Sequence, residues 1–175
     1  MQNLSAKYGK TLNLDKLTSY CPGCGHGIVT RLVAEAIETL GIRERAIAIV
    51  GIGCGGFSHH YMDVDAIEAT HGRSPSFAVG YKLCRPDNIV FTYCGDGDSC
   101  AIGLGDLMHA ANKGMPITSI MVNNSVFGMT GGQMAPTTLP HQKTATSPRG
   151  KDPARYGTLN VVDVLGKMDI AYLAR

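Results

Sequence analysis

A chain of 175 residues in which 44% of the side chains are hydrophobic can bury one sizeable core and is expected to form one domain. Its net charge of +2 is too small to make nucleic acid or a membrane surface a primary partner. Met1 to Lys16 contains no apolar block of the signal-peptide kind and no run reaches transmembrane length, so a cytoplasmic location is expected, and the six cysteines point to metal or redox use before disulfides.

Met1 to Ser19 is polar and weakly patterned and reads as an N-terminal arm without chemistry of its own. Tyr20-Cys21-Pro22-Gly23-Cys24-Gly25-His26-Gly27 then leads into Ile28 to Leu40, where Ile28, Leu32, Val33, Ala36, Ile37 and Leu40 recur at helical spacing. Gly41 closes that helix, and Ala46 to Val50 is a short buried strand running into a second glycine-rich turn, Gly51 to Gly56. Cys21 and Cys24, with Cys54 on this turn, offer three thiolate ligands for an iron–sulfur cluster, which ordinarily takes four. Cys84, Cys94 and Cys100 are the local candidates for the fourth, and none is an obvious match. A buried thiol pair, a zinc half-site or a thioredoxin-like dithiol would satisfy the Cys-x-x-Cys spacing as well.

Asp63 is expected to cap a short helix that ends at Gly72. His71 and Arg73 then occupy a turn ahead of Phe77 to Leu83, a helix or extended run, where an imidazole and a cation would complement an anionic ligand. A solvated surface turn is the plainer alternative. His59, His60, His109 and His141 carry no spacing signal and read as structural.

Two apolar runs rich in β-branched residues follow, Ile89 to Tyr93 and Ile117 to Val122, with a helical segment, Ala101 to Asn112, between them. A parallel pair joined by a right-handed crossover places both strand ends at one edge of a sheet, where ligands of open α/β sheets bind. Gly95-Asp96-Gly97-Asp98 leaves the first strand and Asn123-Asn124 leaves the second, separated by the 25 residues 98–122. The Asp96 carboxylate, the Asn124 amide oxygen and the Val126 carbonyl are hard oxygen donors suited to an octahedral Mg²⁺. Gly95 and Gly97 let the backbone approach a diphosphate closely. The unit therefore reads as a magnesium diphosphate clamp, and its spacing resembles the thiamine diphosphate motif, with two unrelated turns as the alternative.

Phe127 to Thr138 is a loop dense in Gly, Met and Thr, expected to cover that ligand. Gln142 to Lys151 is basic and reads as a solvated loop; contact with an acidic substrate or a partner is the other reading. Val161 to Leu165 begins a last helix, and Ala171 to Ala174 suggests a final short strand.

Taken together, Cys21-Pro22-Gly23-Cys24-Gly25-His26, Gly53-Cys54, His71-Gly72-Arg73, Arg85-Pro86-Asp87, Gly95-Asp96-Gly97-Asp98, Asn123-Asn124 and Met129-Thr130-Gly131-Gly132-Gln133 closely resemble the β subunit of 2-oxoacid:ferredoxin oxidoreductases. The resemblance runs from Tyr20 to Arg175. It implies an α/β fold, a parallel sheet flanked by helices, in which residues 20–175 form a thiamine diphosphate-binding diphosphate domain. It further implies oxidative decarboxylation of a 2-oxoacid to an acyl-coenzyme A, with electrons passing through a [4Fe–4S] cluster to ferredoxin. Asp96, Asn124 and Val126 would hold Mg²⁺; Gly53, Cys54, His71, Gly95, Gly97, Asp98, Gly128 and Met129 would line the cofactor; Cys21, Cys24 and Cys54 would hold the cluster. In that family the fourth cluster cysteine lies beyond Arg175, so the chain is expected to be an incomplete domain lacking its last elements. The glutamate that activates the cofactor belongs to a pyrimidine-binding domain on an α-type partner, so no catalytic residue is expected in this chain and it should be inactive alone. The loop around Met129 resembles those of the 2-oxoglutarate and branched-chain members more than the pyruvate ones. A non-catalytic cofactor-binding subunit and a non-oxidative thiamine decarboxylase are the competing readings.

Overall fold

The computed structural model describes residues 10–175. Its centre is a four-stranded, wholly parallel sheet of β1 (Ala46–Val50), β2 (Asp65–Glu68), β3 (Ile89–Gly95) and β4 (Ile117–Val122), ordered β2-β1-β3-β4. Alternation along β1 supplies both faces of the core. Ala46, Ala48 and Val50 point to one side, where they meet Phe91, Tyr93, Val122 and helix α1 (His26–Leu40). Ile47 and Ile49 point to the other, against Val90 and Ala78 of helix α2 (Ser74–Cys84). Helix α3 (Leu104–Asn112) lies beside α2, and its Leu107 joins Cys100, Val161 and Leu165 of the short helix α4 (Val161–Leu165) in a third cluster. The parallel sheet is thus covered on both faces, as such sheets require.

Several local expectations are corrected. The segment expected to form a helix capped by Asp63 contains instead the edge strand β2, parallel to β1 with Ile47 facing Asp65 and Val50 facing Glu68. Pairing with the central strand outweighs the weak helical preference of so short a run. Ala171 to Ala174 forms no strand; Leu173 packs against the α3–α4 cluster. On α1 the apolar set turns partly outward. Ile37 is buried and Val33 packs on the core, but Ile28 and Leu32 are 63% and 48% exposed, while Thr30 and Ala34 face inward. Thr30 is buried because its hydroxyl is hydrogen-bonded with the Tyr93 phenol at 3.0 Å.

The expected arm divides. Residues 1–9 lie outside the described residues, while Thr11 is buried with its N–H and hydroxyl both donating to Glu38 Oε1 at 2.6 Å, and Leu12 bridges to Met62. The basic segment ending at Lys151 is also less solvated than expected, because Lys151 is 2% exposed and donates into the fold. Helix α3 is preceded by a π-helical turn, Asp98–Ile102, and begins after Gly103. Such widened turns occur often at functional sites.

Candidate functional site

Register aligns the two strand ends. Gly95 pairs with Val122, so Asp96 and Asn124 leave the sheet side by side at its carboxyl edge. Asp96 is 1% exposed, and burial pushes its carboxyl pKa up, while the Thr137 hydroxyl and nearby backbone N–H groups pull the other way. Thr137 takes Oδ2, whereas Oδ1 is buried without a hydrogen-bond partner among the described residues. A buried carboxylate oxygen left bare is costly. A cation at that oxygen would remove the cost.

Asn124 and Val126 line the same cleft as Asp96. The Asn124 side-chain nitrogen donates to the Cys24 carbonyl at 3.3 Å, which commits one end of the amide and leaves its oxygen for a metal. Ser125, a non-glycine residue with φ 66°, turns the chain so that Val126 and Phe127 line the same cleft as Asp96. The turn is held by the Thr138 hydroxyl donating to the Ser125 carbonyl at 2.6 Å. Antiparallel strands β5 (Val126–Phe127) and β6 (Gln133–Met134) then form a small hairpin within the expected covering loop. A Cβ on Gly97 would stand 2.5 Å from the Phe127 ring, so glycine is required for this hairpin to lie over the strand end. One carboxylate, one amide oxygen and one carbonyl fit Mg²⁺, with phosphate oxygens and water to complete six ligands.

Gly53, Cys54, His71, Gly95, Gly97, Asp98, Gly128 and Met129 line the same cleft as Asp96, Asn124 and Val126. Asp98 is nevertheless committed to the fold: its Oδ1 accepts the Gly72 N–H at 2.8 Å and contacts His71 Nδ1, tying the turn before α2 to the start of the π-helical turn. Arg73 does not join the cleft. Its guanidinium pairs with Asp106 of α3, which also accepts from the Ser76 hydroxyl at 2.5 Å.

The cysteines are less organised. Gly23 and Gly25, with φ of 80° and 86°, make the turn that carries Cys21 and Cys24 into α1. Burial raises the Cys54 thiol pKa, and the nearby Cys24 and Cys21 raise it further. The three are therefore neighbours, but among the described residues no three His, Cys, Asp or Glu side chains are grouped so as to hold a metal ion. Cys94 and Cys100 are buried, and burial pushes both thiols up to about 12, while Cys84 is exposed.

Sequence reasoning did not single out His26, Ile52, Phe127 or Thr130, which also line the cleft, nor Thr137. His26 is buried against the stacked Tyr20 ring at 5.2 Å and the Tyr93 ring at 5.8 Å, and burial lowers its pKa to about 4, which keeps it neutral. Its signal was its position as the last residue of the Cys-Pro-Gly-Cys-Gly-His run. Thr137 and Thr138 were visible only as a paired threonine.

Residues 44–175 match the family model of the thiamine pyrophosphate enzyme, C-terminal TPP binding domain. The chain is 47% identical over 140 residues to ketoisovalerate oxidoreductase subunit VorA of Methanothermobacter thermautotrophicus, covering 80% of this chain and 29% of that one. It is 42% identical over 172 residues to 2-oxoglutarate synthase subunit KorB of Methanocaldococcus jannaschii, covering 95% of this chain and 61% of that one. The fold is similar, at a TM-score of 0.82 and 33% identity, to a 2-oxoglutarate:ferredoxin oxidoreductase from Magnetococcus marinus solved with 2-oxoglutarate, coenzyme A and succinyl-CoA bound, covering 94% of this chain and 55% of that one. The chain thus spans less than two thirds of the length of each of these relatives. With its parallel sheet, paired strand ends and matched domain, the chain belongs to the thiamine pyrophosphate enzyme family and carries that family's C-terminal TPP-binding domain.

Proposed function

We propose that this chain is the thiamine diphosphate-binding β subunit of a cytoplasmic 2-oxoacid:ferredoxin oxidoreductase. The overall reaction would release carbon dioxide from a 2-oxoacid, join the acyl group to coenzyme A and pass an electron pair to ferredoxin. The observation that carries this reading is the buried Asp96 Oδ1, bare of partners, beside Asn124 and Val126 at the ends of two adjacent parallel strands.

In this assignment Asp96, Asn124 and the Val126 carbonyl hold Mg²⁺, and the backbone at Gly95 and Gly97 receives the diphosphate. Bound thiamine diphosphate supplies the nucleophilic carbon and the electron sink for decarboxylation. The protein's part is to position it and keep water away, and Ile52, Phe127 and Met129 give the cleft apolar walls. Neither carboxylate of the cleft is assigned to the aminopyrimidine: Asp96 is given to the metal position, and Asp98 holds Gly72 and His71 through Oδ1 while its buried Oδ2 lies against Gly51. This supports an α-type partner that brings a pyrimidine-binding domain and its glutamate. The exposed Ile28 and Leu32 of α1 are apolar surface of the kind a subunit contact covers. Among the described residues no helix is long and apolar enough to cross a membrane.

The neighbouring Cys21, Cys24 and Cys54 support the electron-transfer part, because a Cys-x-x-Cys pair with a third thiol near it offers the soft sulfur ligands an iron centre takes. Their ungrouped arrangement favours, as second reading, a non-oxidative thiamine decarboxylase. Anaerobic purification of the whole complex, with iron and sulfide assays and turnover of 2-oxoglutarate, 2-oxoisovalerate and pyruvate, separates the two. The proposal expects iron, coenzyme A-dependent ferredoxin reduction and slower turnover of pyruvate than of the other acids. Decarboxylation without acceptor reduction would establish the second reading, and full activity of this chain alone would remove the need for a partner.

A further inference from the structure

Lys151 is a lysine with almost no access to water, and among the described residues no acidic side chain is paired with it. Its ammonium donates to the Thr138 carbonyl at 2.6 Å and to the Thr158 hydroxyl at 3.0 Å; the Thr158 hydroxyl in turn donates to the same carbonyl at 2.8 Å. Burying a cation on neutral acceptors is expensive, so the contact must fix something the rest of the fold does not.

What it fixes is the segment Ala135 to Thr138, which reaches the metal position from two sides. The Thr138 hydroxyl accepts the Ala135 N–H at 2.8 Å and donates to the Ser125 carbonyl at 2.6 Å, holding the strained turn between Asn124 and Val126. The Thr137 hydroxyl, 2% exposed, donates to Asp96 Oδ2. With one lone pair of Oδ2 taken by Thr137, Oδ1 is the oxygen of Asp96 better able to meet a cation. The hydroxyl thereby biases the carboxylate towards one-oxygen ligation, and the Asn124–Val126 turn is held in the same cleft. Mg²⁺ demands near-ideal octahedral geometry, whereas Ca²⁺ accepts looser, higher-coordinate and two-oxygen carboxylate binding.

We infer that Thr137, Thr138 and Lys151 form a positioning relay that holds Asp96 in a one-oxygen mode and so selects Mg²⁺ over Ca²⁺ at the diphosphate site. The inference rests on the proposed Mg²⁺–diphosphate clamp and adds to it the residues that set its geometry. Thr137 and Lys151 are positioning residues, since neither is a ligand in this scheme. Groups that orient a ligand in this manner are worth roughly 10- to 100-fold in metal affinity.

The test is calorimetric titration of thiamine diphosphate into the assembled complex at graded Mg²⁺ or Ca²⁺, a readout independent of turnover. Thr137→Val keeps the shape and removes the hydroxyl; Thr137→Ser restores the hydroxyl. The valine variant is expected to need roughly 10-fold more Mg²⁺ for half-saturation while its Ca²⁺ requirement changes little, with the serine variant close to the native protein. Lys151→Met should give the same loss of discrimination, partly regained in Lys151→Arg. Thermal melting at saturating Mg²⁺ and cofactor checks folding, and if Lys151→Met fails to fold the Thr137 pair alone decides. Unchanged Mg²⁺ preference in Thr137→Val overturns the relay and leaves the clamp standing. Metal-independent cofactor binding by the native complex overturns both.

Discussion

At the end of the cleft assigned to the diphosphate Asp96 is buried and receives the Thr137 hydroxyl, whereas at the cysteine end Cys21 is exposed and Cys24 and Cys54 are half-buried thiols not drawn to a common point. The contrast follows from what holds each region. Strand ends in a parallel sheet are placed by the core, so oxygen donors attached to them are preorganised before any ligand arrives. The thiols sit on glycine-rich turns, and metal sites of that kind ordinarily draw their order from the ion they hold. The diphosphate end should therefore respond to geometric changes in the fold, and the cysteine end to the presence of the metal.

Asp96→Ala tests the preorganised end most severely. It removes the central oxygen donor, and Mg²⁺-dependent thiamine diphosphate binding is expected to weaken by more than about 100-fold in calorimetry. Next in size is a pH effect through His26, whose pKa falls from 6.5 unfolded to about 4 in the fold because burial disfavours the imidazolium. Between those values the unfolded chain takes up a proton that the folded chain does not, so stability is full above pH 6.5 and declines as pH falls towards 4, by about 3 kcal/mol. Urea midpoints of His26→Gln should be flatter across that window than those of the native protein.

Gly97→Ala places a methyl group against the Phe127 ring and should destabilise by about 1–3 kcal/mol, read by denaturant unfolding. Pairing it with Phe127→Ala should recover part of that loss, because the clash is with this ring. The smallest change in cofactor binding is expected from Cys24→Ser. Asn124 is bonded to the Cys24 carbonyl and not to its sulfur, so thiamine diphosphate affinity should stay within about twofold while iron content of the complex falls. A large loss of cofactor affinity in that variant would show that the two ends are not separately built.

The sheet was legible because its strands are short, continuous apolar runs: Ala46 to Val50 and Ile117 to Val122 have the bounds expected, and the fold class follows from their alternation with helices. Edge strand β2 was missed because its burial comes from one neighbour only, which leaves Asp65 and Glu68 polar and the apolar pattern faint. The outward Ile28 and Leu32 of α1 misled for a related reason, since helical spacing identifies an apolar stripe without saying which partner covers it. In the cleft, every cofactor-lining residue inferred from the motifs lines one concavity, because Gly-Asp-Gly and Asn-Asn are tied to strand ends. Thr137 and Lys151 could not be read in advance. Their importance arises from contacts at sequence separations of 41 and 13 residues, which local pattern does not encode.

The most direct test of the account is to soak crystals of the complex in Mn²⁺ and thiamine diphosphate and record anomalous scattering at the manganese edge. The account predicts one peak beside Asp96 Oδ1, shared with the Asn124 side chain, the Val126 carbonyl and the diphosphate. A diphosphate bound at Gly95–Gly97 without that peak, or a peak held by other residues of the cleft, would contradict it.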